Sequence, residues 1–451
     1  MVGIADVDIK NQSEVQLVDA IERLFDILYG TSSFKASDAS RRLDFCRDSC
    51  YICRNKQETM IKSISSDIRY IGVDDMDLDL FEGQYIVPEG ISYNSYLILD
   101  DKVAVMDTVD ARKGEWWLSQ LEGALEGRKP DYLVVHHMEP DHSGSILALA
   151  RKYPDIRIVA TAKALVFLGQ FFEGETFNTL AVKEGDTLEL GAHTLRFVMA
   201  PMVHWPEVMV SFDTKDKVLF AADAFGKFGA LSKCGYFGEE DDDWACEARR
   251  YYFNIVGKYG APVQVLLKKV LPLAPAVIAP LHGPVLRENL GEYIDLYQTW
   301  STYGVETEGV FIACASIHGG TLAVAERLQE ILLAKGCPKV AFSDLTRDDQ
   351  AEAVEDAFRY GKMILCAASY DGGLFSPAYN FLHTLQMKSW QKRRVALVEN
   401  GTWAPSAGKV MKEMFGAMKD VEIVGDLVTI RSRMKESDQA ALEALADAIL
   451  Q

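Results

Sequence analysis

The sequence predicts an α/β protein in which a mixed α/β sandwich, over residues 69–305, precedes a doubly wound parallel sheet, over residues 306–451. Three observations predict this fold class. Apolar strands in the first part are mixed with helical patterns in no fixed order. In the second part strands and helices alternate regularly, which is typical of a parallel sheet. Polar residues able to bind metals or phosphates follow several strands, where functional loops usually lie.

Length and composition limit the possible functions. The chain has 451 residues, enough for two or three domains, and 49% of them are hydrophobic, as in ordinary soluble proteins. The formal net charge of −19 argues against a nucleic-acid or membrane-surface binder. No apolar run reaches transmembrane length and no signal peptide begins the chain, so we expect a cytoplasmic location.

Residues 1–68 are predicted to be an N-terminal helical extension. An apolar stripe at helical spacing runs between a suitable N-cap at Ser13 and a stop at Gly30. We expect this helix to pack on the main body or on a second subunit. The stripe consists of Leu17, Ile21, Leu24, Phe25 and Leu28.

Cys46, Cys50 and Cys53 follow in the same extension. Three such thiols can bind an iron–sulfur cluster or, with a fourth ligand from elsewhere, a zinc or iron ion. The alternative is three free thiols on a short helix or loop, because no second Cys-x-x-Cys pair completes a site. Both interpretations are open.

The sandwich begins with short strands that lead to a buried strand, whose apolar run is bounded by polar residues. Glycine and acidic turns separate these strands. The predicted elements are, in order, strands at 68–72, 85–90, 93–99 and 102–108, a helix at 116–125 and the buried strand at 132–136.

A dense ligand motif follows the strand at 132–136. His137, Glu139, Asp141 and His142 place four potential metal ligands within six positions. Alternation along an extended loop would point the first three the same way. One ion cannot easily take all four from so short a loop, so we predict two ions. His137 and Glu139 would bind one, and Asp141 and His142 the other.

Three more candidate ligands follow apolar strands. His204, Asp223 and His282 each lie where the chain turns after a buried strand. Any one of them alone would be interpreted better as a structural polar residue whose hydrogen bonds are satisfied within the protein. Together with the motif they complete two metal shells: His204 for the first ion, His282 for the second, and Asp223 as a bridge. A bridging carboxylate offsets the repulsion between two nearby cations.

The ligand types favour a particular class of metal. Glu139 is a harder donor than the histidine that an imidazole-rich zinc motif would place there. Mixed imidazole and carboxylate ligation favours iron or manganese in a dinuclear site, although it does not exclude zinc.

The run His137-x-Glu139-x-Asp141-His142 resembles the motif of the flavodiiron protein family, also called A-type flavoproteins. Segments 223–231, 247–252 and 282–284 extend the similarity. The resemblance implies a metallo-β-lactamase-like αββα sandwich joined to a flavodoxin-like domain. Two positions depart from the family pattern: His136 stands where asparagine is expected, and Glu207 where aspartate is expected. His136 could tune proton supply or could simply pack.

The second part carries three strand-end loops that look like the flavin loops of flavodoxin-like domains. Its predicted strands are 310–314, 340–342, 363–367, 395–398 and 421–424. Small hydroxyl and glycine residues before a helix can cradle a phosphate, and no Gly-x-Gly-x-x-Gly is present. The resemblance therefore implies FMN, with Trp403 or Tyr370 stacking on its ring. The loop residues are Ser316, Ile317, His318, Gly319, Gly320 and Thr321; Ser369, Tyr370, Asp371, Gly372, Gly373 and Leu374; and Asn400, Gly401, Thr402 and Trp403.

The family resemblance implies an oxidoreductase. A diiron site supplied by FMN would reduce O2 to water with four electrons, or NO to N2O with two, and Asp223 and Glu139 would tune the irons. It also implies a head-to-tail homodimer or a dimer of dimers. The identity of the electron donor is open, and a rubredoxin-type protein or a reductase would suit the role. The alternatives are a zinc hydrolase of metallo-β-lactamase type fused to a flavodoxin-like domain, and a non-catalytic electron-transfer flavoprotein.

Overall fold

A computed structural model describes residues 60–451, and the predictions on residues 1–59, including Cys46, Cys50 and Cys53, lie outside the described residues. The first half of the described chain is a sandwich of two sheets, here called the sandwich. Its strands begin at Lys62, before the predicted start at residue 69. Among residues 60–451, no helix combines the length and the apolar character needed to cross a membrane.

The first sheet of the sandwich has seven strands in the order β1-β2-β7-β8-β9-β10-β11. Its first half is antiparallel, and β8 to β11 are parallel. The strands are β1 (Lys62–Ser63), β2 (Ile68–Tyr70), β7 (Tyr96–Leu99), β8 (Val103–Met106), β9 (Tyr132–Val134), β10 (Arg157–Thr161) and β11 (Thr179–Val182). Two small hairpin-like pairs lie beside it: β3 (Val73–Asp75) with β6 (Ile91–Tyr93), and β4 (Leu80–Phe81) with β5 (Tyr85–Ile86).

The second sheet has five strands in chain order, antiparallel except for the last pair. Apolar side chains of both sheets, including Ile98, Phe197 and Phe220, form the core between them. The strands are β12 (Thr187–Glu189), β13 (Thr194–Met199), β14 (Met209–Asp213), β15 (Val218–Phe220) and β16 (Val277–Ala279).

Helices cover the outer faces of the sandwich and complete the predicted αββα layers. α1 contacts β7 of the first sheet and α7 contacts β13 of the second. Trp117 and Leu121, one turn apart on α1, are buried against the first sheet. The helices are α1 (Gly114–Leu125), α2 (Pro140–Ser143), α3 (Ile146–Lys152), α4 (Ala162–Phe171), α5 (Leu231–Cys234), α6 (Trp244–Tyr251), α7 (Gly260–Val270) and α8 (Leu290–Ser301).

The third sheet has a central path of five parallel strands, as predicted, in the order β18-β17-β19-β21-β22. Off this path β23 pairs in parallel with β21, and the short β20 pairs antiparallel with β19. The order reverses between β17 and β19, so the carboxyl ends of these strands form the expected ligand-binding edge of a doubly wound sheet. The strands are β17 (Thr307–Ala315), β18 (Val340–Asp344), β19 (Tyr360–Tyr370), β20 (Gly373–Leu374), β21 (Arg393–Asn400), β22 (Val421–Ile423) and β23 (Val428–Ile430). The helices are α9 (Gly320–Ala334), α10 (Gln350–Arg359), α11 (Ser376–Met387), α12 (Ala407–Gly416) and α13 (Gln439–Leu450).

Buried ion pairs join the sandwich to the third sheet. Arg249 on α6 donates to both oxygens of Glu306, each at 2.7 Å, and to Glu355 on α10. Its neighbour Arg250 donates to Asp349 at 2.6 Å. Arg249 and Glu355 are each 3% exposed. These contacts fix α10 against the sandwich, because separating them would leave charges buried without partners.

Burial raises the pKa of Glu355 from its ordinary value of 4.5 to about 8, although Arg249 opposes the shift. The folded state therefore keeps the Glu355 proton to a higher pH than the unfolded state does. At neutral pH Glu355 is mostly the neutral acid and accepts the Arg249 hydrogen bond in that form, and Glu306 is the carboxylate that pairs with the Arg249 charge. The stability contributed by this proton is full below pH 4.5 and is lost as the pH rises to about 8, at up to about 1.4 kcal/mol per pH unit.

We expect Glu355→Gln to remove this pH dependence. Denaturant unfolding at pH 5, 6, 7 and 8 should show the wild-type free energy of unfolding falling relative to that of the variant. Glu326→Gln, at an exposed position on α9, is the matched control and should run parallel to the wild type. A wild-type curve that also runs parallel to the Glu355→Gln curve would contradict the prediction.

Candidate functional site

The ligand motif begins where β9 leaves the first sheet. The extended chain ends at Glu139, which is the N-cap of the short helix α2, and Pro140 occupies the first helical turn. The expectation of an extended loop through Asp141 is therefore wrong, because the fixed φ of proline favours a helix start. Asp141 and His142 lie within this helical turn, whereas His137 and Glu139 precede it.

The first cluster of the site contains His137, Glu139 and His204. Glu139 Oε2 lies 3.1 Å from His137 Nε2 and 3.0 Å from His204 Nε2. Oδ2 of Asp223 lies 3.4 Å from His137 Nε2 and 3.2 Å from His204 Nε2. One ligand atom from each of these four residues lies within 4.8 Å of the others, which is close enough for one metal ion to contact all four.

The second cluster contains Asp141, His142 and His282. Asp141 Oδ2 lies 3.4 Å from His142 Nε2 and 3.2 Å from His282 Nε2. The other oxygen of Asp223, Oδ1, lies 3.1 Å from His142 Nε2 and 3.9 Å from His282 Nε2. Asp223 therefore presents one carboxylate oxygen to each cluster, which is the arrangement that a bridging ligand requires.

Several polar atoms of the two clusters are buried without a hydrogen bond. Within residues 60–451, both oxygens of Asp141, both oxygens of Asp223 and Nε2 of His142 and His282 have no hydrogen-bond partner. Leaving buried polar atoms unsatisfied is costly, and natural proteins rarely do so without an ion, a water or a function at the site. These residues fit a pair of metal ions.

The electrostatics of the site also favour cations. Burial would raise the pKa of Asp223, but His142 and His137 hold it well below its ordinary value. Burial would lower the pKa of His204, but Asp223 and Glu139 raise it to about 9. Carboxylates that attract a proton to the imidazoles also attract a metal ion, to which the imidazoles bind unprotonated.

Neighbouring groups orient two of the imidazoles. Nδ1 of His137 lies 2.8 Å from Oε1 of Glu207, which also accepts the backbone N–H of Met138 at 3.0 Å. Nδ1 of His282 donates to the backbone oxygen of Ser92 at 2.7 Å. Both bonds direct Nε2 into the site, as outer partners of metal ligands do. Glu207 occupies a position where aspartate was expected and still reaches His137.

Tyr251 is a residue of the site to which the sequence assigned no role. It is fully buried, its ring lies 5.5 Å from that of His282, and its hydroxyl has no hydrogen-bond partner in the described part of the chain. A Cβ on Gly226 would lie 3.2 Å from the Tyr251 ring, so glycine leaves room for it. A π-helix over Tyr252–Val256 follows directly, and such turns are frequent at functional sites.

The three predicted flavin loops lie together at one edge of the third sheet. They follow β17, β19 and β21, which are adjacent and parallel. Gly319, at φ +82°, precedes α9, and no side chain caps the first turn of that helix. Asp371 and Gly372 form a tight turn with positive φ between β19 and β20. Trp403 is 87% exposed at this edge.

A fourth loop at this edge was missed by the sequence analysis. It follows β23, and its Ser432 exchanges hydrogen bonds of 3.1 Å with the side chain of Asn400. A Cβ on Gly320 would come within 2.4 Å of the Ser432 backbone oxygen. The predicted phosphate loop at 316–321 therefore packs directly on this fourth loop. The sequence feature that could have predicted this loop is the mostly apolar run 427–430, typical of a strand, followed by the basic residues Arg431, Arg433 and Lys435.

Comparisons with known proteins agree with this geometry. A family model described as "ODP family beta lactamase" matches residues 91–283. The nitric oxide reductase of Moorella thermoacetica is 30% identical over 372 residues, covering 81% of this chain and 91% of that protein.

The chain belongs to the flavodiiron family. Diflavin flavoprotein A 1 of Synechocystis is 33% identical over 310 residues, which is 67% of this chain and 52% of that protein. The chain thus spans about half the length of this relative and of the 35% identical one from Thermosynechococcus vestitus, of which 45% is covered. Rubredoxin oxygen:oxidoreductase from Desulfovibrio gigas superposes with a TM-score of 0.82 at 25% identity, over 86% of this chain and 98% of that one.

We expect Glu207→Gln to weaken metal binding on the order of 10- to 100-fold, because the neutral amide holds the His137 ring less firmly and makes it less basic. Competition with a chromophoric chelator would measure the affinity. Glu173→Gln, at an exposed position outside the site, should bind metal as the wild type does. Equal affinities for the wild type and Glu207→Gln would refute this role.

Proposed function

We propose that this flavodiiron family member is an oxygen or nitric oxide reductase that holds two iron ions and one FMN. The observation that carries the proposal is the Asp223 carboxylate, which lies between two ligand clusters and makes no hydrogen bond within residues 60–451. The printed names of relatives support the same activity class, since they include nitric oxide reductase and rubredoxin oxygen:oxidoreductase.

In this proposal, His137, Glu139 and His204 hold one iron, Asp141, His142 and His282 hold the other, and Asp223 bridges them. The donor set of imidazoles and carboxylates suits iron. Diiron and reduced FMN together supply four electrons, which suffices to reduce O2 to water, whereas coupling two NO molecules to N2O needs two. The buried Tyr251 hydroxyl, whose ring lies beside that of His282, has no hydrogen-bond partner within residues 60–451 and is free to donate a hydrogen bond to the bound diatomic molecule.

The flavin loops support FMN as the partner of the metal centre. The uncapped first turn of α9, with Ser316 and Thr321 beside it, offers backbone N–H groups and hydroxyls to a phosphate. Trp403 exposes its indole where a flat ring would stack. The glycines at 319 and 372 have open space where a Cβ would lie, which leaves room for a ligand close to the backbone.

The position of the flavin edge favours electron transfer between subunits. Lys388 donates to Tyr85 at 3.3 Å and to the backbone of Asn254, so it ties α11 to the metal side of the sandwich. This contact lies near the amino end of β21, and the flavin loops lie at its carboxyl end. Eight strand residues span about 25 Å. A head-to-tail dimer would bring one subunit's flavin to the other subunit's metals, with a rubredoxin-type or reductase partner as the electron donor.

Direct assay tests the proposed activity. The full chain, loaded anaerobically with ferrous iron and FMN and reduced, should consume O2 without releasing peroxide, or NO with release of N2O. We expect about two irons per chain, and Asp223→Ala should lose both the metal and the activity. Asp242→Asn, in an exposed acidic loop, is the control. Purified protein that carries only zinc and hydrolyses esters or lactams would replace this function with the hydrolase alternative.

Mixed dimers test transfer between subunits. His282→Ala would disable the metal centre, and Ser316→Asp would repel the FMN phosphate, so each variant alone should be inactive. Equal mixing with subunit exchange should restore about a quarter of the wild-type activity, because half of the dimers are mixed and each has one intact pair of sites. A mixture that stays inactive despite verified exchange would place the transfer within one subunit.

A further inference from the structure

His136 precedes the candidate ligand His137, and its side chain is bonded on both ring nitrogens. It is 1% exposed. Nδ1 lies 2.5 Å from Oδ2 of Asp107, and Nε2 lies 2.8 Å from the hydroxyl of Ser211. The ring stacks on Phe220 at 6.3 Å. Since both nitrogens are satisfied and point away from the clusters, His136 is not a metal ligand.

These contacts connect the two sheets of the sandwich. Asp107 and His136 follow β8 and β9 of the first sheet, whereas Ser211 lies in β14 of the second. The backbone joins the same elements, because the N–H of Met209 at the start of β14 donates to the oxygen of His136 at 3.1 Å. The N–H of His136 in turn donates to Oδ1 of Asp107 at 2.7 Å. This polar group crosses an otherwise apolar core and is fully hydrogen-bonded, as such networks must be.

The first metal cluster draws on both sheets at this point. His137 and Glu139 leave the first sheet directly after His136. His204 and Glu207 lie on the loop that leads into β14. This strand begins at Met209, two positions before Ser211. A metal site tolerates errors of only about 0.2 Å in ligand distance. The hydrogen bond between His136 and Ser211 fixes the position of one sheet relative to the other. It therefore sets the distance from His137 to His204 and Glu207.

We propose that His136 is a positioning residue for the metal centre: with Asp107 and Ser211 it clamps the two sheets and sets the metal affinity of the cluster formed by His137, Glu139 and His204. This inference rests on the proposed two-metal function. The clamp replaces the asparagine that the family resemblance led us to expect, so it is a feature of this chain's own residues.

The second cluster is held by different contacts. Thr108 donates to the backbone oxygen of His142 through its N–H at 2.9 Å and its hydroxyl at 2.7 Å. The imidazole of His282 is held by the oxygen of Ser92 at 2.7 Å. Neither route passes through Ser211. Breaking the clamp therefore weakens the first metal position more than the second, with which it shares only Asp223.

The chain offers a matched control for a purely structural role. His193 is also fully buried, and its Nδ1 lies 3.0 Å from Asp213 at the far end of β14. Asp67, His193 and Asp216 lie close enough together to hold an ion. However, the ammonium of Lys215 lies 3.1 Å from Nε2 of His193 and pairs with Asp67, so a positive charge already stands at this position. Replacing His193 removes a buried hydrogen bond to β14, as replacing His136 does, but at the end of the strand that is far from the candidate ligands.

The test is a titration of the metal-free full-length chain with Co²⁺, followed by its absorption spectrum, together with thermal unfolding of the metal-free protein. The variants are His136→Ala, Ser211→Ala, Ser211→Thr and His193→Ala. We expect the first two to weaken one Co²⁺ equivalent on the order of 10- to 100-fold and to change its spectrum. Ser211→Thr keeps the hydroxyl and should therefore bind both Co²⁺ ions with the wild-type affinity. His193→Ala should lower the melting temperature with both affinities unchanged.

Equal weakening of both Co²⁺ equivalents, or unchanged affinities with a lower melting temperature as in His193→Ala, would overturn the inference. If His136→Ala does not fold, the two Ser211 variants still decide the question. A wild-type chain that binds fewer than two Co²⁺ ions would instead overturn the proposed dinuclear function, and the clamp would fall with it.

Discussion

Buried carboxylates require compensating positive charge, and the sandwich buries Asp141, Asp223 and Glu207 at the edge where its two sheets meet. Hydrogen bonds do not satisfy Asp141 and Asp223 in the part of the chain that the structure describes. The imidazoles around them approach as ligands do, through Nε2, with Nδ1 of His137 and His282 held from behind. Two cations shared through Asp223 would supply this positive charge. Without them the imidazoles supply it by taking up protons, as the raised pKa of His204, about 9, indicates.

The residues of the candidate centre could be chosen from the sequence because each follows an apolar strand. His204, Asp223 and His282 share this pattern with the motif at 137–142, and strand ends at one edge of a sandwich converge in space. The parallel sheet could be predicted from the sequence equally well, since its five predicted strands alternate with helices. Both predictions rest on the spacing of apolar and polar residues over short stretches of the chain, which the sequence shows directly.

Other features depend on tertiary contacts that leave no such pattern. The helical turn at Pro140 was misjudged because alternation was extended past a residue that favours a helix start. The role of His136 could not be chosen from the sequence, since its partners Asp107 and Ser211 lie 29 and 75 positions away. Tyr251 ends α6, and its contact with the ring of His282, 31 positions further along the chain, is a tertiary contact that the helical pattern does not show. The loop after β23 reaches the flavin-type edge through the hydrogen bonds of Ser432 with Asn400, 32 positions away, which no local pattern shows.

The position of the candidate ligands along the chain has a consequence for biosynthesis. All seven lie between His137 and His282, ahead of the first strand of the third sheet at Thr307. A ribosome adds about 5–20 residues per second, and N-terminal domains fold first. All seven candidate ligands are therefore synthesised before the flavin-type sheet. Arg249 can contact Glu355 only after α10 has been translated. The docking of α10 on the sandwich thus comes after the last candidate ligand has been synthesised.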